Sequence, residues 1–167
     1  MNTFTLPEYR PLPLKTKGQP WYRKTKAWLF DRRVYIITKD YYYTDQYGLT
    51  RMIPAGFCTD FASSPRFAWL IGLDPKGVLL VPALFHDWGY RHDFYLDENG
   101  DKILQGRGRW YHDRKMMKDC EYINDMWLPG AIAMSAVWAG GYLAWRNAAK
   151  YRDGEIHLEG KYGDLLC

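Results

Sequence analysis

The sequence has little cysteine: three residues in 167, at 58, 120 and 167, with no pair spaced Cys-x-x-Cys. An odd count without that spacing argues against a disulfide framework and a zinc ribbon, and free thiols fit a reducing compartment such as a cytoplasm. Charge of one sign is also scarce in excess. The net charge is +4 and the bases are scattered, too weak a field for a nucleic-acid face, so no nucleic-acid partner is expected. The opening stretch MNTFTLPEYRPLPLK has no apolar run of the kind a secretory leader carries. The chain has no His-Glu-x-x-His zinc motif and no Gly-x-Ser-x-Gly elbow, so Ser63 and Ser64 are read as turn or helix-start residues rather than nucleophiles. No internal repeat is present, which excludes a solenoid.

Aromatic residues are what the sequence has in surplus. They make up 17% of it, including 14 Tyr and 8 Trp. Rings in that number fill a thick core, and they also favour interfaces where one end of the ring stays wet. One stretch, Met126 to Trp145, runs 20 residues without a charge. Its length suits a membrane span, but Pro129, Gly130, Gly140 and Gly141 and the excess of Ala over Leu favour a buried helix packed through small residues; a membrane-associated helix is the alternative.

A length of 167 residues suits a single domain. Residues 1–26 are rich in Pro, Tyr and Lys without periodicity and read as an extended arm, with Arg23-Lys24-Thr25-Lys26 as a solvated connector. Residues 27–53 are aromatic and β-branched and predict a three-stranded antiparallel meander ending at Pro54. Residues 54–66 read as a structured loop, and FAWLIGL after it as a short apolar helix or turn. GVLLVPALFHDWGYRH, 77–92, predicts a helix with Pro82 near its start. FYLDENGDKILQ predicts a hairpin turning at Asn99-Gly100. Two further helices are expected, over 109–125 and from Pro129 to Lys150, followed by an irregular tail over 151–167. The fold class is α+β: an N-terminal antiparallel meander, then an antiparallel core of about three helices, in one domain over 27–150.

The candidate chemistry sits in LFHDWGYRHD. His86 and Tyr90, four apart, share one helix face, and Asp87 points about 100° away. An imidazole there can serve as general base, and an aspartate can hold a hard cation such as calcium. A His works best with a carboxylate behind it that fixes its tautomer. Asp119, on the expected inward face of the next helix with Met116, Tyr122, Ile123 and Met126, is the candidate for that role. The same network can instead merely lock two helices together. The His92-Asp93 and His112-Asp113 pairs, at a helix end and in a first turn, are expected to be solvated. Asp60 is either a cation ligand facing the His-Asp pair or a capping residue. Asp97, Asn99 and Asp101 lack the glycine and glutamate positions of a calcium loop and read as a turn.

Three ordered segments resemble a family found mostly in tailed phages and prophages, the domain of unknown function 1353. They are Gly56-Phe57, Thr59-Asp60, Ala62-Ser63 and Pro65; His86-Asp87 with Tyr90; and Asp119 with Tyr122. Lys118 stands where the family usually has Ala, and Tyr122 where it has Phe. The resemblance spans roughly residues 30–145 and implies a phage origin without an established activity. His-Asp-x-x-Tyr with an Asp on a second helix also resembles the phospholipase A2 site. That resemblance implies that His86 activates water, Asp87 binds calcium, Asp119 orients His86 and Tyr90 supports Asp119. The flanking cysteines of the secreted enzymes are absent, and no glycine-rich calcium loop precedes the helix; PAGFCTD with Asp60 and GLDPKG are the substitutes on offer.

These resemblances imply a hydrolase with catalytic His86, Asp119 and Tyr90 and with Asp87 and Asp60 as metal ligands. Its cofactor would be calcium and its substrate an ester of the phospholipid class, met at a membrane surface through residues 126–145. The alternative is a structural virion component of neck, tail or baseplate that contacts other phage subunits through its arm and aromatics. A peptidoglycan hydrolase or lysis accessory ranks third. The expected location is the host cytoplasm, or the virion.

Overall fold

The fold comes from a computed structural model that describes residues 5–13, 17–30, 34–61 and 77–152. Its elements in chain order are β1 (Tyr9–Pro11), α1 (Trp21–Phe30), β2 (Tyr35–Ile37), β3 (Tyr41–Thr44), β4 (Thr50–Ile53), β5 (Cys58–Thr59), α2 (Leu80–His92), β6 (Tyr95–Leu96), β7 (Lys102–Ile103), α3 (Arg109–Asn124) and α4 (Trp127–Arg152). The class is α+β. The expected short helix at FAWLIGL, the turn at Ser63-Ser64-Pro65 and the tail beyond Arg152 lie outside the described residues.

The strands form two antiparallel sheets, ordered β1-β2-β5 and β3-β4-β6-β7. The single meander expected over 27–53 is therefore divided. β3 and β4 make a hairpin in register Tyr41↔Ile53 to Thr44↔Thr50, while β2 turns to the other sheet and pairs with β1 and β5. Asp45 sets the β3–β4 turn, its carboxylate accepting the backbone N–H groups of Tyr47 and Leu49. The arm is extended at β1, where Pro11 is tolerated because β1 is an edge strand. It is helical at α1, so Ala27–Phe30 belong to a helix and not to the expected strand. Aromatic and apolar residues in a run this short satisfy either state, and periodicity does not separate them.

Two hairpin signals held. Asn99-Gly100 turns β6 into β7, with the Asp97 carboxylate accepting from the N–H groups of Asn99 and Asp101. On β3, Tyr41 and Tyr43 are buried while Tyr42 and Thr44 are exposed, the period of two that faces a sheet onto a core.

That core lies between the four-stranded sheet and α2. Tyr41, Tyr43, Ile53 and Tyr95 from strands meet Leu84, Phe85 and Trp88 from the helix, with Phe57 and Phe61 from the β5 region. Pro82 falls in the first turn of α2, where its missing N–H breaks no helix bond. A smaller apolar cluster of Leu79, Met116, Cys120 and Ala133 holds α2, α3 and α4 together. Cys120 is a buried free thiol, but Cys58 is disulfide-bonded, which corrects the expectation for that residue. Among the described residues no helix is long and apolar enough to cross a membrane.

Candidate active site

Helix height decides which acid meets His86. α2 and α3 run antiparallel, joined through the β6–β7 hairpin. At about 1.5 Å per residue, His86 lies about 9 Å and Tyr90 about 3 Å before the end of α2. On α3, Asp113 lies about 6 Å after the start and Asp119 about 15 Å. Asp113 thus arrives between the two α2 side chains, and Asp119 passes beyond them. Asp113 Oδ1 is 2.9 Å from His86 Nε2 and 2.5 Å from the Tyr90 hydroxyl. Asp119 is consequently not the partner of His86. The residue that is, Asp113, is fully buried rather than solvated.

The protonation pattern follows from the acceptor. A carboxylate cannot donate, so both contacts at Oδ1 are donations, from Nε2–H and from the tyrosine O–H. In the neutral ring the proton then sits on Nε2, and Nδ1 carries the lone pair. Asp113 Oδ2 faces Arg109 Nε at 3.6 Å, one helical turn back. The His86 and Tyr90 rings lie 4.0 Å apart between centroids, tilted by 39°. Burial, then the hydrogen bond to Asp113 and its charge, pushes the Tyr90 phenol well above its ordinary range, so it remains a donor. His86 keeps 5% of its surface exposed and Asp113 none. The imidazole is nearly buried and the acid wholly so.

α4 seats the tyrosine. A Cβ on Gly141 would lie 2.6 Å from the Tyr90 hydroxyl, so only glycine allows α4 this close, and Trp145 packs edge-on against the Tyr90 ring at 5.3 Å. The small residues of the uncharged run thus serve helix packing.

A second buried histidine braces the start of α3. His112 lies 2.9 Å from the Tyr95 hydroxyl through Nδ1 and 2.9 Å from Asp93 through Nε2. Asp93, in left-handed conformation at the end of α2, also accepts the N–H of Gly108 at the cap of α3. Burial lowers the His112 pKa against the opposing pull of Asp93, which keeps the ring neutral. Tyr95 therefore donates to Nδ1 and Nε2–H donates to Asp93. His112 is fully buried, and so is nearly all of His92, which corrects the expectation that both His-Asp pairs are solvated. Asp113 lies one turn past the helix start, too deep to act as a first-turn acid.

Asp87 leans the other way, toward β5. Its carboxylate accepts the Thr59 hydroxyl, which in turn accepts the N–H of Phe61. The segments Gly56-Phe57-x-Thr59-Asp60 and His86-Asp87-x-x-Tyr90 converge at this contact. Phe61 is buried with φ of 49°, a left-handed conformation that costs a bulky residue about 1–2 kcal/mol and marks a tightly constrained backbone. Burial first, and then the charge of Asp60, raises the Asp87 pKa to about 6. Asp60 and Asp87, both half-buried, are therefore an acid pair that repels itself. Two carboxylates of this kind fit a hard divalent cation, with further oxygens required from backbone or water. Among the described residues no group of three or more His, Cys, Asp or Glu converges as a metal cluster.

Asp119 serves a separate network. It binds Arg51 Nη2 at 2.6 Å, with the Tyr43 hydroxyl at 3.4 Å and Lys115 at 3.4 Å. Arg51 is fully buried on β4, its guanidinium within about 5 Å of the Tyr43, Phe85 and Tyr95 ring centres. Lys115 continues the chain to Asp45 at 2.5 Å.

A family model described as a protein of unknown function, DUF1353, matches residues 35–119. The chain belongs to the DUF1353 family. The matched stretch contains Thr59, Asp60, His86, Asp87, Tyr90 and Asp113, so the whole site of this DUF1353 protein falls within it. No curated protein and no solved structure matches the chain.

The sequence candidates His86, Asp87, Tyr90 and Asp60 fall at this cluster, whereas the sequence reading names Thr59 only as a motif residue, takes His112 and Asp113 as solvated, and passes over Arg109 and Arg51. Asp113 was accessible through two signals. It shares a stripe with Met116 and Cys120 at spacings of three and seven, and its height above the α3 start matches His86.

Proposed function

We propose that this DUF1353 protein is a hydrolase of carboxylic esters whose general base is His86. One observation carries the reading: Nε2 is committed to a sealed carboxylate, which leaves Nδ1 as the basic nitrogen of the ring. Nδ1 takes a proton from water as the water oxygen bonds to the ester carbonyl carbon. Asp113 stabilises the imidazolium, and Tyr90 and Arg109 hold Asp113 in place. The imidazolium then returns its proton to the departing alkoxide, giving acid and alcohol. Asp87 and Asp60 would hold a divalent cation such as calcium, which when bound supplies positive charge for the developing oxyanion. The roles match those that the phospholipase A2 resemblance implies, with Asp113 taking the place first expected of Asp119.

The test is hydrolysis of a short-chain ester and of dispersed phosphatidylcholine by the purified full chain, with calcium and with chelator. His86→Ala is expected to lower turnover by about 10²–10⁴-fold while the circular dichroism spectrum stays that of the wild type. If the wild type hydrolyses neither ester, or His86→Ala hydrolyses as fast as wild type, the dyad only locks the helices and the hydrolase reading fails.

A further inference from the structure

The outer side of α4 carries no charge for about five turns. Leu128, Ser135 and Tyr142 recur there every seven residues, with Trp127 and Trp138 beside them, and all five are exposed. Trp138 is 58% exposed and Tyr142 61%. Trp110 of α3, also exposed, extends the patch, its ring 6.4 Å from that of Trp138. Contiguous apolar surface of this kind on a folded chain marks a place where something docks.

We propose that this face docks on an anionic lipid surface, lying along it. Charge selects the occupant. From Met126 to Arg152 the sequence has no Asp or Glu, and its three charges are Arg146, Lys150 and Arg152. Arg146 is exposed, and on the α3 side Arg107 and Arg114 are exposed while Arg109 lies 5.1 Å over the Trp110 ring; the exposed acids Glu121 and Asp125 lie toward the Trp127 end, so the bases gather at the other end of the strip. An aromatic strip with a basic rim suits the headgroup zone, where Trp and Tyr place their rings and bases meet lipid phosphates. A second copy of the chain brought against the same face would set that basic rim against itself. Docking does not depend on the hydrolase reading. Where both hold, the ester is a lipid ester, because Gly141 and Trp145, three and seven residues on from Trp138 along α4, pack against Tyr90.

Flotation of the full chain tests this with vesicles of phosphatidylcholine alone or mixed with phosphatidylglycerol. Partitioning is expected to be about tenfold higher on the anionic vesicles. The double substitution Trp138→Ala with Tyr142→Ala lowers it about tenfold more, with an unchanged circular dichroism spectrum. Arg146→Glu lowers binding to the anionic vesicles only. His86→Ala floats like wild type, which separates this proposal from the hydrolase reading. The proposal is overturned by absence of flotation, or by equal flotation of wild type and the double variant. It is equally overturned if the wild type self-associates in sedimentation and the double variant does not, since the face then belongs to a second copy.

Discussion

Gly89 sits where α2 passes the His112 ring, and a single methyl there has calculable consequences. A Cβ on Gly89 would lie 2.3 Å from His112 Nδ1 and 2.8 Å from Cγ and Cε1. Ordinary contacts are more than 1 Å longer than the closest of these, so in Gly89→Ala the ring must leave its place. Leaving breaks both of its hydrogen bonds, to Tyr95 and Asp93. Overpacking costs about 1–3 kcal/mol and a stranded buried polar group about 1–3 kcal/mol, against a helix-propensity gain of about 1 kcal/mol for Ala over Gly. The net loss is about 1–5 kcal/mol, or a fall in Tm of roughly 2–20 °C for a domain of this size. His112→Ala removes the obstacle. In that background Gly89→Ala should be neutral or stabilising by up to about 1 kcal/mol, so the two substitutions couple by about 1–6 kcal/mol. Urea unfolding of the four proteins, followed by Trp fluorescence, measures the cycle. Additive effects, or a loss below about 0.5 kcal/mol in Gly89→Ala alone, would refute the packing argument.

Two further outcomes follow from the buried charges and rings. Asp119→Asn leaves the Arg51 guanidinium buried without its counterion and should cost about 3–5 kcal/mol in urea unfolding; a loss below about 1 kcal/mol contradicts the pairing. His92 is buried among Phe57, Trp88 and Phe94, neither ring nitrogen has a hydrogen-bond partner, and burial lowers its pKa to about 3. The folded state thus binds fewer protons than the unfolded state between that value and the ordinary 6.5, so stability is full above about pH 6.5 and falls as pH drops toward 3. The total is up to about 4–5 kcal/mol. His92→Phe should flatten that slope in stability measured from pH 7 to pH 3.5, and an unchanged slope would show that another group is responsible.

Much of the fold was legible because local chemistry and burial agreed. The ENGD turn, the three long helices and the alternation on β3 each carried their own period or turn residue. The α1 segment was not legible, since its apolar residues are too few to show a period. At the site, residue types were readable but heights were not used. His86 and Tyr90 declare a shared face by their spacing of four, whereas the choice between Asp113 and Asp119 depends on where α3 begins relative to the end of α2. The sequence reading takes Asp113 as a first-turn acid although the expected start at 109, which the structure bears out, already puts it a full turn into the helix. Arg51 was hidden for a different reason. A charge in a strand is expected to face water, and its inward direction becomes intelligible only once Asp119 arrives from α3 to meet it.

The tautomer of His86 tests the central claim most directly. Long-range ¹H–¹⁵N NMR of the imidazole rings should find, in the neutral form of His86, the proton on Nε2 and a bare Nδ1. That preference should be lost in Asp113→Ala and kept in Lys118→Ala, an exposed substitution on the same helix. A neutral His86 protonated on Nδ1, or a ring indifferent to the loss of Asp113, would mean that the sealed acid does not hold the imidazole and that no base is presented at this site.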